Sequence, residues 1–308
     1  TANGAFPADA VRIMSRIVAD AEVGCNFEQG YTFVRDFTPK PMSTLESIVS
    51  SAAQSALDLR AGLIVVFTNY GRSSRLVSKY KPPVPVLLVT PNARTARQHA
   101  SRFACYPMVV ESDGAIDKLD YLLRDALEYA QKHQLCPDGS EVVVAHGTNE
   151  VWTDVNAVVE FALSPGEASP FISARRDELV SSYSCTRISL PNVLDPAMPF
   201  RKTKIVCTMG PKCWSEEGLG GLLDAGMTIA RFNFSHGDHA GQGAVLERLR
   251  ALCEARAAAG GREVSPEVAY MLDTKGPEIR TAMLRDHQAI SLEAGQSVVV
   301  EAVGAAYT

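Results

Sequence analysis

The stretch Gly226-Met-Thr-Ile-Ala-Arg-Phe-Asn-Phe-Ser-His-Gly237 changes from apolar to polar residues where a buried strand would end. The same change occurs in Thr203-Lys-Ile-Val-Cys-Thr-Met-Gly-Pro211 and in Leu272-Asp-Thr-Lys-Gly-Pro-Glu-Ile-Arg-Thr281. Helical patterns at 215–225 and 240–259 separate these three stretches. Strands that alternate with helices predict βαβ units and a parallel sheet. We therefore expect the three polar clusters to meet at the carboxyl edge of one sheet, where such folds place ligands.

Residues 25–163 show the same alternation and predict a compact α/β domain. Its predicted strands are 62–68, 84–89, 107–110, 141–145 and 158–163, and the helices between them are 73–80, 92–103 and 116–134. Two more helices are predicted before the first of these strands, at 7–22 and after Ser43, which has Glu46 three residues on as in a capping box. In the second region, three βα steps fit either half a barrel or half a doubly wound sheet.

Composition narrows the class of protein further. The length of 308 residues corresponds to about two domains. The net charge of −5 argues against a nucleic-acid or anionic-membrane surface, which needs a basic excess. Seven scattered cysteines without a C-x-x-C pair indicate reduced thiols and no zinc site. With no signal peptide and no apolar run of membrane-spanning length, these features predict a soluble, cytoplasmic protein.

The three polar clusters combine two kinds of group. The oxygen donors are Asn233, Ser235, Asp273 and the Thr274 carbonyl. The cations are Arg231, Lys275 and Arg280. Hard oxygen donors suit an alkali or alkaline-earth ion, whereas the guanidinium fork of arginine suits phosphate. The residues therefore predict a phosphate-handling site assisted by a cation.

The three stretches resemble the first three barrel-strand motifs of pyruvate kinase, in the same order and with the same spacing. The resemblance implies that Arg231 contacts the phosphoryl group of phosphoenolpyruvate. It implies potassium ligands at Asn233, Ser235, Asp273 and Thr274. The positions that it implies on the nucleotide side are Thr208, Pro211, Asn233, His236 and Arg280.

The first half of the chain resembles the other end of the same family. The stretch Thr1-Ala-Asn-Gly-Ala-Phe-Pro-Ala-Asp-Ala-Val11 is similar to the segment after the last barrel strand. There Thr1 matches a threonine implicated in protonating the enolate, which implies a catalytic role. Residues 25–163 resemble the C-terminal regulatory domain. Its turn between a strand and a helix can hold an effector phosphate, with Thr68, Gly71, Arg72 and Ser73 as the implied contacts.

The resemblance therefore runs in an unusual order, with the C-terminal portion of the family before the N-terminal portion. Such an order is typical of the junction between tandem copies, or of a permuted or truncated chain. The implied fold is a doubly wound α/β domain followed by a partial (β/α)8 barrel. The implied domains are the last barrel helix (1–24), the regulatory-type domain (25–163), a linker (164–200), the first part of the barrel (201–284) and the start of the lid domain (285–308).

The resemblance implies a pyruvate kinase that transfers a phosphoryl group from phosphoenolpyruvate to ADP, with K⁺ and either Mg²⁺ or Mn²⁺ as cofactors. It implies either a homo-oligomer or tandem kinase copies, and it allows a larger protein assembly. No nucleic-acid partner and no membrane partner are expected. The sequence shows no counterpart of the strands that carry the catalytic lysine and the Glu/Asp pair for the divalent ion. The alternative is a non-catalytic segment derived from pyruvate kinase that serves as a binding or scaffold module.

Two minor expectations concern single residues. We expect His99, His133 and His239 at the surface. We expect Cys207 to be a core thiol, because its strand neighbours are apolar and it lacks an activating partner.

Overall fold

The computed structural model of the chain describes residues 3–111, 119–147, 152, 155, 157–162, 201–259, 268–277, 284 and 288–299. It contains two compact units, Thr1–Asp273 and Thr274–Thr308. The predicted linker at 164–200, Thr1 and Arg280 lie outside the described residues. The division into domains made from the sequence stays a prediction.

The described secondary structure alternates as expected. The helices are α1 (Pro7–Val23), α2 (Phe27–Asp36), α3 (Thr44–Asp58), α4 (Arg72–Lys79), α5 (Ala93–His99), α6 (Leu119–Lys132), α7 (Glu216–Asp224) and α8 (His239–Ala259). The strands are β1 (Leu63–Phe67), β2 (Val86–Thr90), β3 (Cys105–Val109), β4 (Glu141–His146), β5 (Ala157–Ala162), β6 (Val206–Thr208), β7 (Ile229–Asn233) and β8 (Ala269–Asp273).

The first sheet has five strands in the order β3-β2-β1-β4-β5. Strands β1 to β4 are parallel, whereas β5 runs antiparallel to β4. Every residue of β1 and β2 is buried, because helices α3 and α4 pack on one face and α6 packs on the other. Burial on both faces explains why these strands are continuous apolar runs. The predicted doubly wound α/β domain is confirmed.

The second sheet consists of β6, β7 and β8, which are parallel and adjacent in that order. Helices α7 and α8 connect the strands and share one apolar core with them, which includes Leu219, Leu222 and Leu249. The Ser215 side chain caps α7 by accepting a hydrogen bond from the Gly218 N–H at 3.0 Å. Three parallel strands connected by helices are the beginning of a (β/α)8 barrel, as predicted. Cys207 is buried in this core, also as predicted.

Helix α1 packs against this second core, although it lies at the other end of the chain. Val11 belongs to the same apolar cluster as α7 and α8. At the end of α1, the Glu22 carboxylate accepts hydrogen bonds from the backbone N–H groups of Lys202 at 2.8 Å and Thr203 at 2.6 Å. The Lys202 ammonium lies 3.6 Å from the same carboxylate, and both side chains are buried. An acidic residue is rarely buried so fully unless it is paired in this way.

The segment that leads into β6 also contacts the edge of the first sheet. The Ala104 N–H donates a hydrogen bond to the Lys202 carbonyl at 2.8 Å, and the Tyr106 hydroxyl donates to the Arg201 carbonyl at 2.7 Å. In return, the Lys204 ammonium donates to the Cys105 carbonyl at 2.7 Å. Strand β3 is therefore joined to the second sheet by several polar contacts.

Lys204 makes stability depend on pH at this junction. Burial lowers the pKa of its ammonium group from 10.5 to about 8. Below about pH 8 the Lys204 amine is protonated in both the folded and the unfolded state, so the folded state bears the full cost of a buried charge. The unfolded chain keeps the proton up to a higher pH. The penalty decreases as the pH rises through about 8 towards 10.5. Burial of the Cys105 thiol raises its pKa to about 12, which acts in the opposite direction above about pH 9.

We predict that Lys204→Met changes the free energy of unfolding differently at pH 7 and pH 9. From pH 7 to pH 9 the free energy of unfolding of wild type should rise by about 1 kcal/mol relative to that of Lys204→Met. The reason is that only wild type has a buried ammonium group that loses its charge in this range. Urea unfolding at both pH values measures this difference. Lys212→Met, at an exposed position, is the control. A Lys204→Met difference that stays constant with pH would show that the ammonium group is not desolvated.

Two features depart from the sequence prediction. Helix α2 was not predicted, although Asn26 caps it by accepting a hydrogen bond from the Gln29 N–H at 3.1 Å. Helix α5 ends at His99 and not at 103, because the chain turns before β3 and Ala104 adopts a positive φ of 58°. None of the described helices is both long and apolar enough to cross a lipid bilayer.

The second unit, Thr274–Thr308, contains no helix or strand among its described residues. A turn centred on Gly295 is closed by hydrogen bonds between Glu293 and Gln296, each 3.1 Å long. Several apolar side chains near this turn are exposed: Ile290, Leu292, Val298 and Val299.

Candidate functional site

The carboxyl ends of β6, β7 and β8 bring five of the predicted site residues together. We call Thr208, Arg231, Asn233, Ser235 and Asp273 the strand-end cluster. The strand register places Thr208 beside Arg231 and Asn233 beside Asp273. This arrangement follows from parallel pairing, which aligns the polar residue at the end of each strand on one edge.

Arg231 is the centre of the strand-end cluster. Its Nη1 donates a hydrogen bond to Thr208 Oγ1 at 2.7 Å, and its Nε donates to Asp273 Oδ2 at 3.0 Å. Its Nη2 donates to the same Asp273 oxygen. A guanidinium has five N–H donors, so these three bonds leave two for a ligand. Arg231 is half-buried, and its neighbours on both sides fix the orientation of its planar group.

Two of the oxygen donors, Asn233 and Ser235, lie at the turn after β7, and the third, Asp273, ends β8 beside it. Asn233 Oδ1 accepts a hydrogen bond from the Ser235 N–H at 3.0 Å, and the Asn233 carbonyl accepts from the His236 N–H at 3.2 Å. The Asp273 carbonyl accepts from the Phe234 N–H at 3.0 Å. The second lone pair of Asn233 Oδ1, Asp273 Oδ1 and the Ser235 hydroxyl remain for a cation. Neutral oxygens with one carboxylate are a donor set that suits a hard ion such as K⁺.

The other predicted residues are placed as follows. Pro211 and His236 are exposed, in the loop after β6 and in the turn after β7. Thr274 is exposed and opens the second unit. Thr1 and Arg280 lie outside the described residues. Within the described ranges, no three His, Cys, Asp or Glu side chains are grouped so that they could hold a metal ion.

The turn predicted to hold an effector phosphate, Thr68–Ser73, lies between β1 and the first residues of α4. We call it the effector turn. Gly71 caps α4 in the left-handed region with φ of 75°, and its N–H donates to Thr68 Oγ1 at 3.1 Å. The Ser74 hydroxyl donates to the Gly71 carbonyl at 3.0 Å. Ser73 is fully buried, and its hydroxyl has no hydrogen-bond partner among the described residues. Arg72, at the start of α4, is exposed. These features bring Thr68, Gly71 and Ser73 into one short turn.

Two other buried polar atoms have no hydrogen-bond partner among the residues that the structure describes. They are His146 Nε2, at the end of β4, and Trp152 Nε1. The Trp152 ring lies 6.2 Å from that of Phe67, at the end of β1, and the Trp152 carbonyl accepts a hydrogen bond from the Asn69 N–H at 3.4 Å. Buried polar atoms are nearly always hydrogen-bonded, to water or a ligand if not to protein. Strands β1 and β4 flank the point where the sheet order reverses, which is where open α/β sheets bind ligands.

His99 corrects a prediction, because it is buried with only 6% of its surface exposed. Its ring lies between α5 and the effector turn, with Nδ1 2.9 Å from the Thr95 carbonyl and Nε2 2.8 Å from the Gly71 carbonyl. Burial lowers its pKa below the usual 6.5. The signal in the sequence was its place on the apolar face of α5, next to Ala96 and Ala100.

We predict that Gly71→Ala destabilises the chain by about 2 kcal/mol, because of its positive φ and the overlap of the new methyl group with His99. A Cβ at this position would lie 2.0 Å from His99 Cε1. Thermal or urea unfolding measures the loss. Gly30→Ala is the matched control, since it lies in α2 with open space around it and should be neutral or stabilising. Equal stability of the Gly71→Ala variant and wild type would contradict the packing described for His99.

Two family profiles match this chain. A family profile described as the pyruvate kinase alpha/beta domain matches residues 46–159, which include the effector turn. A second profile, the pyruvate kinase barrel domain, matches residues 200–307, which include the strand-end cluster. The two matches follow one another along this chain with the alpha/beta domain first.

This chain matches only part of the length of each individual relative. A pyruvate kinase of Dictyostelium discoideum is 37% identical over 153 residues, which are 49% of this chain and 30% of the relative. One of Eimeria tenella is 40% identical over 145 residues, 43% of this chain and 26% of the relative. A solved structure of Cryptosporidium parvum pyruvate kinase in complex with ADP has a TM-score of 0.47 and 31% identity, covering 53% of this chain and 32% of that one. The chain thus spans less than a third of the length of these curated relatives.

Proposed function

Since this chain is a pyruvate kinase-like protein, we propose that it supplies the phosphoryl-binding arginine and the potassium site of a pyruvate kinase. The reaction is transfer of a phosphoryl group from phosphoenolpyruvate to ADP, which gives pyruvate and ATP. The observation that carries the proposal is the fixed position of Arg231 between Thr208 and Asp273. The setting that we propose is cytoplasmic, in a homo-oligomer or in tandem kinase copies within a larger assembly.

Phosphoryl transfer depends mainly on positioning and on stabilisation of negative charge. The two remaining N–H groups of Arg231 would bind phosphoryl oxygens as a fork, since the other three already hold the guanidinium in place. Asn233, Ser235 and Asp273 would hold the monovalent cation, which supplies further positive charge beside the phosphoryl group. The role of the Thr274 carbonyl as a fourth ligand stays a prediction.

The other residue roles that we propose come from the sequence resemblance alone. Thr208 would lie on the nucleotide side together with Pro211, Asn233, His236 and Arg280, and Thr1 would act in protonation of the enolate. Mg²⁺ or Mn²⁺ would be held by segments that have no counterpart in this sequence. For that reason we expect the 308-residue chain to form no pyruvate from phosphoenolpyruvate and ADP, which a coupled assay would detect.

The effector turn supports a second element of the proposal, a regulatory phosphate site formed by Thr68, Gly71, Arg72 and Ser73. The feature that favours a ligand there is the buried Ser73 hydroxyl, which has no partner within the described part of the chain. This proposed site would lie in the turn after β1 and would be distinct from the strand-end cluster.

Binding of phosphoenolpyruvate tests the proposal directly. Calorimetric titration of the 308-residue chain in potassium chloride is expected to show saturable binding of phosphoenolpyruvate. Pyruvate, which lacks the phosphoryl group, is the matched control and should bind far more weakly. A scaffold module would bind neither compound, and that outcome would favour the alternative function. Equal affinity for the two compounds would contradict the role of Arg231.

A further inference from the structure

A groove of about 740 Å³ lies beside α4, α5 and β8, within the first unit. Five arginines line it: Arg72 and Arg75 from α4, Arg94 and Arg97 from α5, and Arg102. No Asp or Glu is among the described residues that line it. The chain as a whole carries a net charge of −5, so this concentration of positive charge is local. We call this feature the arginine groove.

Four of these arginines have no carboxylate partner among the residues that the structure describes: Arg75, Arg94, Arg97 and Arg102. Elsewhere in the chain, Arg12, Arg231, Arg250 and Arg256 each contact an acidic side chain. Positive charges that line one groove without acidic neighbours repel one another. An anion from outside the chain would relieve this repulsion.

The walls of the arginine groove are held in fixed positions. Arginines three residues apart lie on the same side of a helix, which places Arg94 and Arg97 together on α5. Asn92 Oδ1 caps that helix by accepting hydrogen bonds from two backbone N–H groups, at 3.0 and 3.2 Å. The buried His99 ring connects α5 to the Gly71 cap of α4. The two arginine pairs are therefore presented by helices and not by loose loops.

The rest of the lining combines the polar side chains of Gln98, His99 and Ser101 with an apolar and aromatic wall. Ile229 and Ala269 form a buried contact with Ala100, just after α5. Met271 and Leu272 of β8 are exposed along the groove, and the Tyr70 ring at its rim is 81% exposed. A volume of this size suits a small organic ligand. The mixture of guanidinium forks and apolar surface matches a molecule with an anionic end and an apolar or planar body.

We propose that the arginine groove binds the polyphosphate group of a small organic molecule. A chain of several phosphoryl groups would offer enough anionic oxygens to engage arginines on both helices, each of which binds oxyanions through its guanidinium fork. Thr68 and Ser73 do not line the groove, so this site differs from the effector turn, although Gly71 and Arg72 border both. It is also separate from the strand-end cluster, and the proposal does not rest on the kinase function.

Calorimetric titration of the 308-residue chain with inorganic tripolyphosphate at low ionic strength tests the proposal. We expect saturable binding that is at least about tenfold tighter than that of orthophosphate, and tighter again for a nucleoside triphosphate whose body can contact the apolar wall. Binding should weaken as salt is added. Equal affinity for tripolyphosphate and orthophosphate would overturn the proposal.

Variants locate the binding site. Arg94→Gln combined with Arg97→Gln should weaken tripolyphosphate binding by about tenfold or more, and both positions are exposed, so folding is retained. Arg124→Gln on α6 is the matched surface control and should bind as wild type does. An equal loss in the Arg124→Gln control, or tighter binding of an RNA oligonucleotide than of tripolyphosphate, would overturn the proposal.

Discussion

Replacement of Glu22 by alanine is expected to reduce the free energy of unfolding by about 3 to 5 kcal/mol. The Glu22 side chain has only 5% of its surface exposed, and Lys202 has 7%. Without the carboxylate, the Lys202 ammonium would be left buried without its ion-pair partner, and two backbone N–H groups would lose their acceptor. Each of these losses is costly in a buried position, because water cannot replace the missing group.

Urea unfolding of Glu22→Ala and of wild type measures this effect. Asp20→Ala is the matched control, since Asp20 lies on the same helix and is exposed. It should change stability by less than about 0.5 kcal/mol. Glu22→Gln, which keeps an oxygen acceptor but not the charge, should fall between the two. If the Glu22→Ala variant were as stable as the Asp20→Ala control, α1 would not be anchored to the segment before β6.

Replacement of Arg231 by glutamine is expected to weaken phosphoenolpyruvate binding by about a hundredfold, which corresponds to about 2.7 kcal/mol. Glutamine lacks both the charge and the fork that bind phosphoryl oxygens. Arg231→Lys keeps the charge but cannot contact Thr208, Asp273 and the ligand at once, so it should lose a smaller part of the affinity.

Calorimetric titration with phosphoenolpyruvate compares these variants. Arg250→Gln, at an exposed position of α8, is the control for general loss of positive charge. Thermal unfolding of each variant shows whether the second sheet remains folded. An Arg231→Gln variant that is folded and binds phosphoenolpyruvate as tightly as wild type does would remove Arg231 from the proposed site.

The strand ends could be predicted from the sequence because their signal is local. Each stretch contains an apolar strand followed at once by polar residues, and parallel pairing then fixes which of these residues meet. Arg231, Asn233 and Asp273 were predicted together for this reason, and the register of β7 and β8 brings them together. The exact partners of Arg231 were not predicted, since hydrogen bonds depend on side-chain positions that spacing does not define.

Other features depend on contacts between distant parts of the chain. Glu22 and Lys202 are 180 residues apart in sequence, and nothing in the local pattern around either residue indicates that they pair. The burial of His99 depends on the close approach of the Gly71 turn, where the absence of a Cβ leaves room for the ring. The arginine groove forms only when the arginine-bearing faces of α4 and α5 come together in the fold. Its trace in the sequence is the repeated Arg-x-x-Arg spacing, at 72–75 and 94–97.

The potassium dependence of phosphoenolpyruvate binding tests the proposed site most directly. The titration is carried out in potassium chloride and in tetramethylammonium chloride at the same ionic strength, with wild type and with Asp273→Asn. We predict that wild type binds at least about tenfold more tightly in potassium, and that Asp273→Asn, which keeps the shape but not the charge, loses this difference. Equal affinity of wild type in the two salts, or an unchanged potassium response in Asp273→Asn, would contradict the assignment of the strand-end cluster.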